Sequence, residues 1–144
     1  MAAERTAHVT WSGSLLEGRG TIERVGSGAF GPLDVDWAAR TEASEGRTSP
    51  EELIAAAHAS CFSMALSNVL AKGGNPPERL EVTATVTFVP GTGITTSALE
   101  VTGTVPGLDE AAFRTAAEDA KDDCPVSKAL RGNVDLSVSA RLAV

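Results

Sequence analysis

The sequence predicts an α+β fold in which antiparallel sheets surround one long buried central helix. Three observations carry that expectation. Segments such as "RLEVTATVTFV" alternate apolar and polar residues with period two, as strands wetted on one face do. The stretch "TSPEELIAAAHASCFSMALSNVLAKGG" reads as a helix without a broad polar face. The order of elements is strands, helix, hairpin, helix, strand, which lacks the regular alternation of a βαβ fold.

Taken in order, "AHVTWSG" and "GTIERV" alternate weakly and read as short strands, and "PLDVDWA" follows the Gly-rich turn "GSGAFG" as a third. The long helix comes next. Thr48 or Ser49 can cap it, Pro50 suits its first turn, and Glu51 and Glu52 complement the positive end of its dipole. "KGGNPP" then stops it. "RLEVTATVTFV" puts Leu80, Val82, Ala84, Val86 and Phe88 on one face, and "TTSALEVTGTV" does the same with Leu99, Val101 and Val105. "LDEAAFRTAAEDAKDD" is an amphipathic helix capped by Asp109, and "VDLSVSARLAV" closes the chain as a strand.

At 144 residues the chain suits a single domain, 1–144, with a real hydrophobic core. Its net charge is −7, and Lys121, Lys128 and Arg131 stand among acids rather than in a cluster. Nucleic acid is therefore not an expected partner, since phosphate binding needs concentrated positive charge. The start "MAAERTAHVTW" has no apolar core of signal-peptide type. His58, Asn68 and three serines interrupt the longest apolar run, so no membrane span is expected and the reading is cytoplasmic. Two cysteines are too few for a disulfide framework or a four-ligand zinc site, which leaves inert thiols or thiols in redox chemistry.

A helix apolar on every side must be buried on every side. Two other modest helices cannot cover it, so a homodimer is expected, with this helix near the two-fold axis.

The helix carries Cys61, with His58 one turn earlier on the same face. Cys61 lies too far from the helix start to gain thiolate character from the dipole, so a reactive thiol there needs a cationic neighbour. His58 is one candidate; a histidine buried in the core and bonded to the backbone is the plainer reading. Cys124 stands in "KDDCPVSKAL". The residue before Pro is pushed out of the α region, so a helix should end near Asp123 and a short turn begin at Pro125, with Cys124 at its cap. There the thiol would face unsatisfied N–H groups.

The segments "TSPEELIAAAHASCFSMALSNVL" and "CPVSKAL", together with "AHVTWSGSLLEGRGTI" and "WAARTE", closely resemble the osmotically inducible protein C (OsmC) and organic hydroperoxide resistance (Ohr) family, and lean to its OsmC branch. The resemblance spans nearly the whole chain. It implies an intertwined α+β homodimer and a thiol-dependent peroxidase that reduces organic hydroperoxides and hydrogen peroxide. It further implies that Cys61 becomes a sulfenic acid, that Cys124 condenses with it to a disulfide, and that an external dithiol recycles the pair. That reductant would be a small dithiol or a lipoylated or thioredoxin-like protein. No metal or bound cofactor is implied, and no membrane partner.

The family also has an arginine that holds the thiolate and a glutamate that orients the arginine. Arg40 in "AARTE" matches the OsmC-branch position, with Arg19 in "EGRGT" second. Glu51 matches the glutamate, with Glu52 its nearest competitor. The resemblance demotes His58 to a packing or tuning residue, because its place is not always histidine across the family. Glu51 and Cys61 are ten residues apart, about 15 Å along one straight helix. Either an arginine spans the gap, the helix start bends away, or Glu51 comes from the partner subunit across antiparallel central helices; the last is the expectation. Two other readings remain: a redox sensor that does not turn over, and a stress protein that binds apolar ligands.

Overall fold

The structure, a computed structural model, describes residues 1–143. It divides into two compact units, one over Met1–Leu53 and one from Ile54 onward.

In the first unit, β1 (Ala7–Ser12), β2 (Arg19–Val25) and β3 (Leu33–Val35) form an antiparallel meander in the order β1-β2-β3. The third strand is shorter than its alternation suggests. Asp36 has extended backbone, and its carboxylate accepts the Ala39 N–H at 2.7 Å, which starts a short helix α1 (Trp37–Thr41) where strand was expected. The N-cap signal is present in "DWAART", and it outweighs the β-preference of Trp37.

Helix α2 (Pro50–Lys72) begins as its sequence indicates. The Ser49 hydroxyl accepts the Glu52 N–H at 3.2 Å, and Thr48 donates to the Glu52 carboxylate at 2.9 Å. It ends in a Schellman motif. Gly74 takes φ +90°, its N–H reaches the Ala71 carbonyl, and the Asn75 N–H reaches that of Leu70.

The remainder holds β4 (Arg79–Val89), β5 (Gly93–Thr104), α3 (Glu110–Asp123), α4 (Pro125–Leu130) and β6 (Asp135–Leu142). The sheet order is β4-β5-β6. The β4–β5 pair is antiparallel, a hairpin turning at Pro90–Thr92, as the alternation implies. The β5–β6 pair is parallel, with Ser97 opposite Leu136 and Leu99 opposite Val138, so the second sheet is mixed rather than antiparallel. The reason is the connection: α3 and α4 carry the chain back to the end where β5 began, and such a crossover joins parallel strands.

The core of this unit joins Phe62, Leu66 and Leu70 of α2 to Leu99 and Val101 of β5, Val105, and Phe113, Ala117 and Ala120 of α3. Burying each large side chain contributes about 1.5–3 kcal/mol. Asp109 caps α3 by accepting the Ala112 N–H at 2.8 Å. Gly103 is required by packing: a Cβ there would lie 2.5 Å from Cζ of the fully buried Phe113 ring.

Within the chain α2 is covered along one face, where His58, Phe62, Leu66 and Leu70 are buried while Met64 is 73% exposed. One expectation about α2 is corrected: its polar residues interrupt it less than expected. At 23 residues, α2 is by length and composition long and apolar enough to cross a membrane. Ser60 and Ser63 donate back to the Ala57 and Ala59 carbonyls, at 3.1 and 2.7 Å, so their hydroxyls are bonded within the helix. The Phe62–Leu66–Leu70 stripe sits in the core cluster, which is the behaviour of a core helix.

Candidate active site

The cysteines come together in the second unit. Cys61 is half-buried on α2 and Cys124 is wholly buried at the junction of α3 and α4, and their thiols are within hydrogen-bonding reach. Pro125 opens α4, as expected from the residue pair Cys124-Pro125. The use of the cap differs from expectation: Cys124 makes no side-chain capping bond. The Val126 N–H, in the first turn of α4, is instead directed to the Cys61 sulfur. The start of α4 thus serves the thiol on the other helix.

Burial pushes the Cys61 thiol up from its ordinary value, and so does the Cys124 thiol beside it; the Val126 N–H acts in the opposite direction without reversing the outcome. A thiol held in its neutral form needs a further positive group before it attacks as thiolate.

The surroundings of His58 disfavour that charge. Its ring is wholly buried; Nδ1 lies 2.6 Å from the Ser97 hydroxyl and Nε2 lies 2.8 Å from the Ser127 hydroxyl. Burial lowers its pKa from the ordinary histidine value, which disfavours the charged ring. The expected backbone bonds of a core histidine are replaced by two serine hydroxyls, themselves wholly buried. Neither serine carried a sequence signal, since an isolated serine on a strand or in a short helix is common.

The arginine and glutamate candidates lie in the first unit. Arg40, on α1, donates from Nε to both Glu51 carboxylate oxygens, at 2.5 and 3.2 Å. Glu51 is buried and Arg40 half-buried. The Arg40 guanidinium also lies 5.9 Å from the Trp37 ring centroid, one turn earlier on the same helix. Trp37 is therefore a supporting residue that the sequence alone did not single out. Arg19 has a different partner: its side chain is 79% exposed and lies 3.9 Å from Asp36, which Arg47 holds more closely at 2.9 Å. Glu52 bonds Thr48 at the start of α2. Of the four charged candidates, Arg40 and Glu51 are the two that meet.

Fold and site together define an α+β protein in which a half-buried thiol on a long helix meets a buried thiol at the cap of a short one. The chain belongs to the OsmC-like protein family, whose model matches residues 43–139. It is 37% identical over 139 residues to peroxiredoxin OsmC of Escherichia coli strain K12, covering 94% of this chain and 96% of that protein. It is 35% identical over 96 residues to an organic hydroperoxide resistance protein of Xanthomonas axonopodis pv. citri, covering 64% and 66%. The crystal structure of the organic hydroperoxide resistance protein OhrB of Bacillus subtilis has the same fold, with a TM-score of 0.72 at 28% identity over 94% of this chain and 98% of that one.

Proposed function

We propose that this chain is a cytoplasmic, thiol-dependent hydroperoxide reductase, acting as a single OsmC-like domain over 1–144 and as a homodimer. The observation that carries the reading is the meeting of Cys61 and Cys124, far apart in sequence, with the Val126 N–H on the Cys61 sulfur. Relatives named as a peroxiredoxin and as hydroperoxide resistance proteins support a peroxidase-type role.

In the proposed cycle the Cys61 thiolate attacks the distal oxygen of a hydroperoxide. The S–O bond forms as the O–O bond breaks, and the departing alkoxide takes a proton to leave as alcohol, or as water from hydrogen peroxide. The Cys124 thiol then attacks the sulfenic sulfur, closing a disulfide and releasing water. An external dithiol restores both thiols by exchange, itself becoming a disulfide. Arg40, oriented by Glu51, is the proposed cation for the thiolate. In this reading the Arg40–Glu51 pair of one subunit serves Cys61 of the other. The exposed apolar side of α2 at Met64 supports a dimer contact there.

Steady-state assays with hydrogen peroxide, tert-butyl hydroperoxide and a fatty-acid hydroperoxide test the proposal. Many turnovers per Cys61 in the presence of a dithiol, abolished in Cys61→Ser, are expected. Consumption of a single equivalent would indicate a sensor. Tight apolar-ligand binding that survives loss of both cysteines, without turnover, would indicate a binding protein.

A further inference from the structure

The bond between His58 and Ser127 lies one helical turn from the pairing of Cys61 with Cys124. Along α2 the step from His58 to Cys61 is three residues; in the segment facing it, the step from Cys124 to Ser127 is also three and runs the opposite way. The two contacts form adjacent rungs between α2 and α4, one a thiol pair and the other imidazole to hydroxyl.

The short helix is otherwise held by Cys124 and Val126 at the core, the Val126 N–H on Cys61 and the Arg131 bond to the Asp122 carbonyl. It is six residues long, Cys124 forms no side-chain capping bond at its start, and Ser127 is its one buried residue, with Val126 and Leu130 partly so. A helix of this length is not stable by itself. Its placement depends on what it bonds and packs against. His58 supplies a directional tie on both sides, to Ser127 on α4 through Nε2 and to Ser97 on β5 through Nδ1. An apolar side chain could fill the same space without the desolvation cost of an imidazole, but it would not set the depth or rotation of α4. Disulfide closure is sensitive to both, since Cβ atoms must approach to about 3.5–4.5 Å.

We infer that His58 is a positioning residue for the second half of the reaction: by holding Ser127 it fixes α4 so that Cys124 stands ready to attack oxidised Cys61. The inference rests on the peroxidase reading and adds a division of labour to it. Arg40 and Glu51 serve the attack on peroxide, while the Ser97–His58–Ser127 chain serves closure of the disulfide. His58 does not touch the reacting atoms and transfers no proton to them.

Single-turnover kinetics separate the two halves. Reduced protein is mixed with one equivalent of tert-butyl hydroperoxide; peroxide loss reports the first step, and mass spectrometry distinguishes the dimedone adduct of the sulfenic acid from the Cys61–Cys124 disulfide. In Ser127→Ala the first step should stay within about twofold of wild type while disulfide formation slows by about tenfold or more, so that the dimedone adduct accumulates. Two conservative variants supply a control that a general packing role would not reproduce. The amide of His58→Gln reaches the place of Nε2 and should keep disulfide formation within about threefold of wild type, whereas that of His58→Asn reaches only the place of Nδ1 and should behave like Ser127→Ala. Unslowed disulfide formation in Ser127→Ala and His58→Asn would overturn the inference alone, as would equal slowing of both steps in every variant. Absence of both adduct and disulfide in the wild type would overturn the peroxidase reading and this inference with it.

Discussion

Arg40 holds Glu51: Nε donates to both carboxylate oxygens, at 2.5 and 3.2 Å, with the Glu51 side chain 8% exposed. The pair joins α1 to the first turn of α2 and leaves the carboxylate little access to water. Removing Arg40 takes away this partner, which should destabilise the protein by about 1–3 kcal/mol. If Arg40 is also the cation at the thiolate, Arg40→Ala should lower kcat/KM by about 10²–10³-fold. Arg40→Lys should recover little, because an ammonium does not reproduce the Nε geometry. Arg19→Ala should change kcat/KM by less than about threefold, as befits an exposed side chain in a long ion pair. The reverse ranking in a steady-state assay would transfer the role to Arg19.

Two titratable groups on α2 whose pKa values burial shifts, His58 and Cys61, predict opposite pH effects on stability. His58 has a lowered pKa, so its contribution is fully present above about pH 6.5 and is lost as pH falls through the lower folded value. Cys61 has a raised pKa, so its contribution is present below the ordinary thiol range and is lost as pH rises through the higher folded value. Urea midpoints measured under reducing conditions should therefore fall less steeply toward acid in His58→Gln than in wild type. Toward alkali they should fall less steeply in Cys61→Ser. Parallel curves for a variant and wild type would contradict the corresponding shift.

Gly103 and Phe113 make a packing prediction independent of the chemistry. A Cβ at 103 would press on the buried ring at 2.5 and 2.8 Å, from Cζ and Cε1. Gly103→Ala should cost about 1–3 kcal/mol in chemical denaturation. In Gly103→Ala/Phe113→Leu the two costs should be less than additive, because the smaller side chain gives room to the new methyl.

Dimerisation and its link to activity can be tested together. Light scattering should show a dimer for the wild type, and Met64→Asp, which places a charge on the exposed side of α2, should shift it toward monomer. Mixing Glu51→Ala with Cys61→Ser subunits should restore about a quarter of wild-type activity if Glu51 serves the partner's thiol, since half of the dimers then hold one intact site. No recovery after verified subunit exchange would place Glu51 in service of its own chain.

The parts of this molecule legible from residues alone are those governed by neighbours in sequence. Ser49, Pro50 and the Gly73-Gly74 pair bound α2, Asp109 opens α3, and Pro125 sets the break at Cys124, because caps and φ restrictions act over a few residues. Asp36 acts by the same rule at the start of α1, directly after the alternating residues of β3. The parallel pairing of β5 with β6 required the path of two intervening helices. The meeting of Cys61 with Cys124 is a contact across the core, suggested beforehand by family resemblance and not by spacing. The Val126 N–H could not be read from the sequence at all, since every residue except proline offers the same donor. Ser97 and Ser127 became visible only as the two hydroxyls that satisfy a buried imidazole. Local hydrogen bonds and backbone sterics determine where each element starts and stops; which residues then face one another is decided by the combined burial of many weakly attractive side chains, and only the folded chain expresses that sum.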